Sequence, residues 1–394
     1  MKMLKQTLET ISWLLLVQRE YIHYVFIVTA IAILVPALHE ARFPLRWDLA
    51  SMFWGFTITG SQSVMVAALL YTIQAPRKIL YPLWERYWKD KPKRIITAIF
   101  AAVLICKAGP QMALVIVIDT LAFVELLEWN HQGKKSASLL IASLLPAVVY
   151  LFVGLLLVFT YTNIIVRIKF YGTFDGIFNG FDERLLGTTV SALAHHVAAI
   201  LPERLFLALN FIYYGMFPQI GAALVICGMS YGCRQALQFV GTLLFAYCLA
   251  LILFYFFPSH GPYYLCVNHF ARLHYDLSSY RTQKMLLANA QYLWEQKPVI
   301  VIPTGFYIAF PCMHIAQPIV VLWFLRKWPR MVAILLAYDV LLVAAIILLE
   351  WHYFVDLLGG VAVAGTAVLV GGYEPAIKDV PFSQGQAQAK RLRN

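Results

Sequence analysis

Residues 310–371 read FPCMHIAQPIVVLWFLRKWPRMVAILLAYDVLLVAAIILLEWHYFVDLLGGVAVAGTAVLVG, and the break in the middle of this stretch decides the fold. Arg326-Lys327-Trp328-Pro329-Arg330 separates two apolar runs, and a third run follows His352. The last two approach the roughly 20 residues that cross a bilayer. A tight basic hinge of this kind marks the cytoplasmic side of a membrane chain. The run before it therefore starts on the opposite face, at His314, and the run after it ends on that face, at His352. An antiparallel helix pair thus carries two histidines, well separated in sequence, to one side of the membrane.

The rest of the chain has the same texture. Of 394 residues, 61% are hydrophobic and 13% are charged, against about 45–50% and about 25% in soluble domains. Mean hydropathy is +0.71. Leu139 to Thr162 forms another long apolar run. The net charge of +11 sits in blocks: Arg77 to Arg94, Lys134-Lys135, Arg326 to Arg330, and Lys390 to Arg393. Positive residues in cytoplasmic loops account for these blocks. No basic-and-aromatic groove or recognition motif points to a nucleic-acid partner.

These patterns predict an all-α, polytopic transmembrane helical bundle: a six-span catalytic core plus extra N-terminal spans. Residues 1–135 form the N-terminal membrane region. Leu4, Leu8, Ile11 and Leu15 recur at helical spacing, which predicts an amphipathic cytoplasmic start, and no cleavable signal peptide is expected. Spans at about Tyr21–Leu38 and Leu49–Ile73 flank a short outer loop. A basic interfacial segment follows, then a broken hairpin with Lys107, Gly109, Pro110, Asp119 and Glu125. The core, residues 136–373, holds spans at about Ser138–Val166, Glu203–Cys227, Gln235–Phe257, Pro311–Leu325, Met331–Leu349 and Tyr353–Gly371. Eight to ten crossings result in total. A polar segment with Asp175 and Asp182 precedes the second core span, and a long outer loop runs from Pro258 to Phe310. Residues 374–394 form a polar cytoplasmic tail.

The chemistry gathers on the outer face. His352 and Asp356 are four apart at the start of an apolar helix, so they share one face, one turn apart. A carboxylate so placed holds the imidazole in one tautomer. His314 sits near the start of a neighbouring helix, where the dipole favours anions. An acid one turn inside an apolar span is expensive and is normally paired. No metal-ligand cluster is apparent: the six cysteines show no zinc spacing, and the adjacent His195 and His196 diverge by about 100° on a helix. Cys266 and Cys312 fall in one outer region, where a disulfide is conceivable.

Phe310-Pro311-Cys312-Met313-His314, followed by His352-Tyr353-Phe354-Val355-Asp356-Leu357-Leu358-Gly359-Gly360, resembles the type 2 phosphatidic acid phosphatase superfamily. There a P-S-G-H-like motif precedes H-x-x-x-D. The form here looks closest to its inositol phosphorylceramide synthase and sphingomyelin synthase branch. The resemblance covers about Ser138 to Gly371 and includes Phe181 to Gly187 and the pair Gly261-Pro262. It implies a phosphohistidine on His352, orientation by Asp356, and proton transfer by His314, with no cofactor and no metal. Two departures stand out. Ala345 to Glu350 lacks the arginine of the phosphatases' S-R pair, and no K-x6-R-P motif follows the Gln235–Phe257 span. Phosphate charge then falls to other groups; Arg272, Arg281, Lys284, His260 and Asp182 are the candidate substrate-binding residues.

The expected activity is transfer of a phosphorylated headgroup, such as phosphoinositol, from a phospholipid donor to a lipid or glycan hydroxyl. The site would face the periplasm in a bacterial inner membrane or the lumen of a Golgi membrane. A lipid phosphatase is the nearest alternative. A lipid transporter, resting on the charged residues of the broken hairpin, is a further one, and a glycosyltransferase has only Glu40 and Asp48 behind it. Oligomeric state and headgroup are not written in the sequence.

Overall fold

The computed structural model describes residues 45–47, single positions between 59 and 70, and residues 137–169, 172–265, 277–295, 299–301 and 307–371. The amphipathic start, the first span, the basic block, the broken hairpin and the tail lie outside the described residues, as do Cys266 and Arg272.

Eleven described helices follow Lys135 in the chain. They are α1 (Ala137–Lys169), α2 (Asp175–Leu186), α3 (Val190–Ile200), α4 (Glu203–Tyr214), α5 (Met216–Tyr231), α6 (Cys233–Phe256), α7 (Pro262–Leu265), α8 (Ser278–Trp294), α9 (Met313–Leu325), α10 (Pro329–Leu348) and α11 (Phe354–Gly371). Two three-residue strands, β1 (Leu45–Trp47) and β2 (Val299–Val301), pair in parallel, with Leu45 opposite Val299. This pairing joins the first outer loop to the long loop before α9, two segments that the charge pattern places on one face.

Among the described residues, five helical stretches are long and apolar enough to cross a membrane: Leu144–Lys169, Glu203–Tyr231, Cys233–Phe256, Pro329–Leu348 and Phe354–Gly371. The bundle of membrane helices is therefore as expected. The span expected at Pro311–Leu325 is the 13-residue α9, about 20 Å long at 1.5 Å per residue and shorter than a hydrocarbon core of about 30 Å. The segment before α9 is non-helical and buried, with Tyr307 at 3%, Ala309 at 1% and Cys312 at 0% exposure. Irregular backbone at membrane depth is stable only where protein encloses it.

Two other expectations are refined. The polar segment after α1 folds into α2 and α3, and the long loop carries α7 and α8. A side chain from a membrane helix starts α8: Asn210 Oδ1 accepts from the Ser279 amide at 2.9 Å and the Ser279 hydroxyl at 2.7 Å.

Packing divides the bundle in two. One cluster joins α1, α5, α6, α9 and α11 through residues such as Ala147, Ala223, Phe239, Leu244, Val320 and Ala364, and it includes Ala67 and Leu70 of the N-terminal region. Tyr231 stacks on Trp328 beside Lys327, so this cluster ends at the basic hinge. The other cluster, with Phe206, Tyr213, Phe254, Tyr263, Leu286, Ile346 and Trp351, surrounds the histidines at the opposite end.

Candidate active site

Helix α10 ends in a Schellman turn. The Glu350 amide donates to Ile347 O at 3.0 Å, and the Trp351 amide donates to Ile346 O at 2.9 Å. Glu350 sits where glycine is usual, at φ 58°. The turn throws Trp351 and His352 back across the helix end. Helix α11 then begins at Phe354, so His352 precedes the helix rather than opening it.

The spacing of four nevertheless works. His352 Nδ1 lies 3.4 Å from Asp356 Oδ2, which also accepts the Tyr353 amide at 2.8 Å. His314 Nδ1 lies 2.9 Å from His352 Nε2. Proton bookkeeping follows from these contacts. A carboxylate partner requires Nδ1–H on His352, which leaves Nε2 as a lone pair. His314 must then carry its proton on Nδ1 and donate it to that nitrogen. Burial pushes the His352 imidazole down to about 3, with a backbone contact at Ala309 acting the other way. His352 is therefore neutral near pH 7.

What holds these groups in place is α2. Asp175, Phe178 and Asp182 form its buried face, at the i, i+3, i+7 spacing of one helical stripe. The Asp182 carboxylate accepts the amides of Phe354 at 2.7 Å and Val355 at 3.3 Å. These are orphan donors of the first turn of α11, so Asp182 caps the helix that carries Asp356. Burial raises the Asp182 carboxyl above its usual range, while the two amides oppose that shift. The Asp175 carboxylate accepts from the Ser259 hydroxyl at 3.1 Å, the His260 amide at 3.1 Å and the Gly261 amide at 2.9 Å. Phe178 packs between them against Phe310 and Tyr353. Gly261 has φ 108°, and a Cβ there would stand 2.4 Å from the Trp351 carbonyl oxygen, so this turn accepts glycine alone.

Helices α9 and α11 are clamped directly. The Cys312 amide donates to Asp356 O at 3.0 Å, and a Cβ on Gly360 would meet Cys312 O at 2.3 Å. Tyr213 of α4 forms an aromatic wall, its ring 4.7 Å from His314 and stacked on Trp351 at 4.8 Å.

The histidines open on a small cavity of about 30 Å³, room for one or two waters. Tyr213, Tyr247, His260, Gln317, Trp351, His314 and His352 supply its polar lining, beside Met216, Phe217, Ile308 and Met313. No lysine or arginine lines it among the described residues. Trp351 Nε1 and Gln317 Oε1 are buried without a hydrogen-bond partner. His260 is lowered by burial, with the Asp175 charge and the Tyr307 backbone acting the other way.

Of the five candidate substrate-binding residues, His260 alone is placed at the cavity. Asp182 is a helix cap, Arg281 and Lys284 are exposed on α8 with Lys284 over the Tyr280 ring at 4.3 Å, and Arg272 lies outside the described residues. Cys312 is a free, buried thiol. The fold also gathers a ligand set that spacing does not reveal: donor atoms of Cys312, His314 and His352 all lie within 4.8 Å of one another. Asp175, Tyr213 and Trp351 were missed too, although the Asp175–Phe178–Asp182 stripe was visible.

Residues 181–370 match the family described as the PAP2 superfamily. The matched stretch begins beside Asp182 and ends in α11, so it contains His314, His352 and Asp356. No curated protein and no solved structure matches the chain.

Proposed function

Taking the PAP2 superfamily, whose members are phosphatases or phosphotransferases, as the premise, we propose that this chain is a headgroup transferase. It moves a phosphorylated headgroup, such as phosphoinositol, from a phospholipid donor to a lipid or glycan hydroxyl. The observation that carries this reading is the aligned Asp356–His352–His314 chain facing a cavity with no described cation. Neutral donors suit a phosphodiester, with one negative charge, better than a dianionic monoester, whose burial would call for paired cations. The sphingolipid branch of the superfamily, in which H-Y-x-x-D precedes small residues, fits His352-Tyr353-Phe354-Val355-Asp356.

The chemistry is a double displacement. His352 Nε2 attacks phosphorus, forming an N–P bond while the P–O bond to the lipid alcohol breaks. The phosphate group enters between the two rings, so the His314 Nδ1–H faces the leaving oxygen and protonates it. Asp356 stabilises the imidazolium character that grows on His352. In the second half, His314 takes the proton of the acceptor hydroxyl, whose oxygen forms the new P–O bond as the N–P bond breaks. The site belongs on the non-cytoplasmic face by this reading, because Arg234, Arg326, Lys327 and Arg330 mark the other end of the bundle as cytoplasmic.

The test is purified protein in lipid nanodiscs with a phosphoinositol phospholipid and a ceramide or diacylglycerol acceptor, followed by lipid mass spectrometry. A new lipid carrying the intact headgroup is expected. Inorganic phosphate released from a phosphatidic acid substrate, with no new lipid, would instead establish a lipid phosphatase.

A further inference from the structure

Cys312, His314 and His352 bring Sγ and two ring nitrogens together at the head of α9, every pair within 4.8 Å, and we propose that they bind a thiophilic divalent cation such as Zn²⁺. In a tetrahedral zinc site with Zn–N near 2.0–2.1 Å and Zn–S near 2.3 Å, the nitrogens stand about 3.3 Å apart and each lies about 3.6 Å from sulfur. The His314 Nδ1 to His352 Nε2 separation is 2.9 Å. An ion therefore needs the two rings to part by a few tenths of an ångström and the thiol to swing inward.

Three further features favour the ion. First, zinc-bound histidines characteristically donate their second N–H to a carboxylate, and His352 Nδ1 already faces Asp356 Oδ2 at 3.4 Å. Second, Asp356 is fully buried and its Oδ1 has no hydrogen-bond partner. One carboxylate plus one thiolate neutralises a divalent cation, which a low-dielectric site requires. Third, the ligand-bearing segments are already fixed to each other by the Cys312 amide on Asp356 O and by the close approach at Gly360. His314 and His352 also line the cavity, which has room for a water as the fourth ligand.

Binding balances with one proton released. Cys312 loses its S–H proton to solvent. His314 moves its proton from Nδ1 to Nε2, freeing Nδ1 for the metal, and His352 keeps Nδ1–H on Asp356. On the transferase reading the ion occupies the attacking nitrogen, so Zn²⁺ is an inhibitor reversed by chelation; that consequence rests on the reading, whereas binding does not.

The binding experiment titrates the purified full chain with Co²⁺, reading the thiolate-to-cobalt absorption band, and then displaces it with Zn²⁺ by calorimetry. One ion per chain with a thiolate band is expected. Cys312→Ser should abolish the band and weaken Zn²⁺ by about 100-fold or more, and Asp356→Asn by about 10–100-fold, the scale of lost outer-shell support. Cys312→Ala serves if the serine variant misfolds. A wild type with no thiolate band, or equal Zn²⁺ affinity in wild type and Cys312→Ser, overturns the proposal. So does loss of binding in His195→Ala/His196→Ala, which would locate the ion on exposed α3. In parallel, Zn²⁺ should inhibit turnover of wild type about 10-fold more strongly than of Cys312→Ser. Tight binding without inhibition would leave the metal site standing and count against the role of His352.

Discussion

At the hinge end, α1, α5, α6 and α11 close on one another through fully buried Ala223, Phe239, Leu244 and Ala364. At the histidine end, carboxylates on α2 reach backbone amides on two other segments. Lipid tails are as apolar as leucine, so the hinge end is held by close packing rather than by escape from water. Packing is spread over many contacts and tolerates volume-conserving change. The histidine end depends on a few directional hydrogen bonds, each of which leaves a buried group unpaired when broken. The histidine end is thus the brittle one.

The sharpest way to break this contrast is His352→Ala. Turnover should fall by about 10⁴–10⁶-fold, the range seen when a nucleophile is removed, and intact-protein mass spectrometry should show no phosphorylated intermediate. The melting temperature should fall as well, because His314 Nδ1 and the buried Asp356 carboxylate lose their partner, at about 1–3 kcal/mol for each unsatisfied group. A variant with retained turnover would remove His352 from the chemistry.

Next in size is Asp175→Ala, which strips partners from the Ser259 hydroxyl and the His260 and Gly261 amides. At about 1–3 kcal/mol for each unsatisfied group, thermal stability should drop clearly, and turnover should fall by about 10–100-fold on the scale of lost positioning. Leu243→Met at the hinge end, a near-isosteric change, should cost less than about 1.5 kcal/mol and leave turnover unchanged. Equal effects from the two substitutions would erase the distinction between the ends.

Gly360→Ala drives a methyl into Cys312 O and should destabilise by about 1–3 kcal/mol, with reduced turnover. Gly365→Ala, five residues along the same helix, meets open space and should be neutral or stabilising by up to about 1 kcal/mol. Urea or thermal melts of the pair isolate steric fit from helix propensity.

The smallest effect concerns pH. His352 is held near 3 against its ordinary 6.5, so its folded value is depressed. The unfolded chain takes up a proton first as pH falls. The His352 contribution to stability is therefore whole above about 6.5 and fades as pH drops toward 3. Between about pH 7 and about pH 6, melting should shift slightly downward, and His352→Gln should flatten that slope. An unchanged slope would mean that His352 is not buried neutral.

Much of the bundle was legible because membrane helices announce themselves locally. Runs of apolar residues and the Arg326–Arg330 hinge placed α1, α4–α6, α10 and α11 within a few residues. His352 and Asp356 were legible because a spacing of four across a helix start brings the side chains together, here with His352 just ahead of α11. The α10 stop at Glu350 was not, since a left-handed glutamate leaves no glycine in the sequence. Helix α8 was hidden because Asn210 of α4, far away in the chain, starts it. Helix α9, by contrast, was placed within two residues of the expected start at Pro311.

By itself the sequence determined the class of fold, the antiparallel order of the last three helices, and the choice of two histidines and an aspartate at one end. Apolar length and charge placement suffice there, since each helix satisfies its own backbone and needs no distant partner. Only the tertiary structure decided that His314 faces His352 at 2.9 Å. It alone decided that the Asp175 and Asp182 carboxylates reach backbone amides of two other segments, and that Cys312 joins the histidines. Those outcomes depend on side chains reaching groups 38 to 172 positions away, and no local pattern encodes such a meeting.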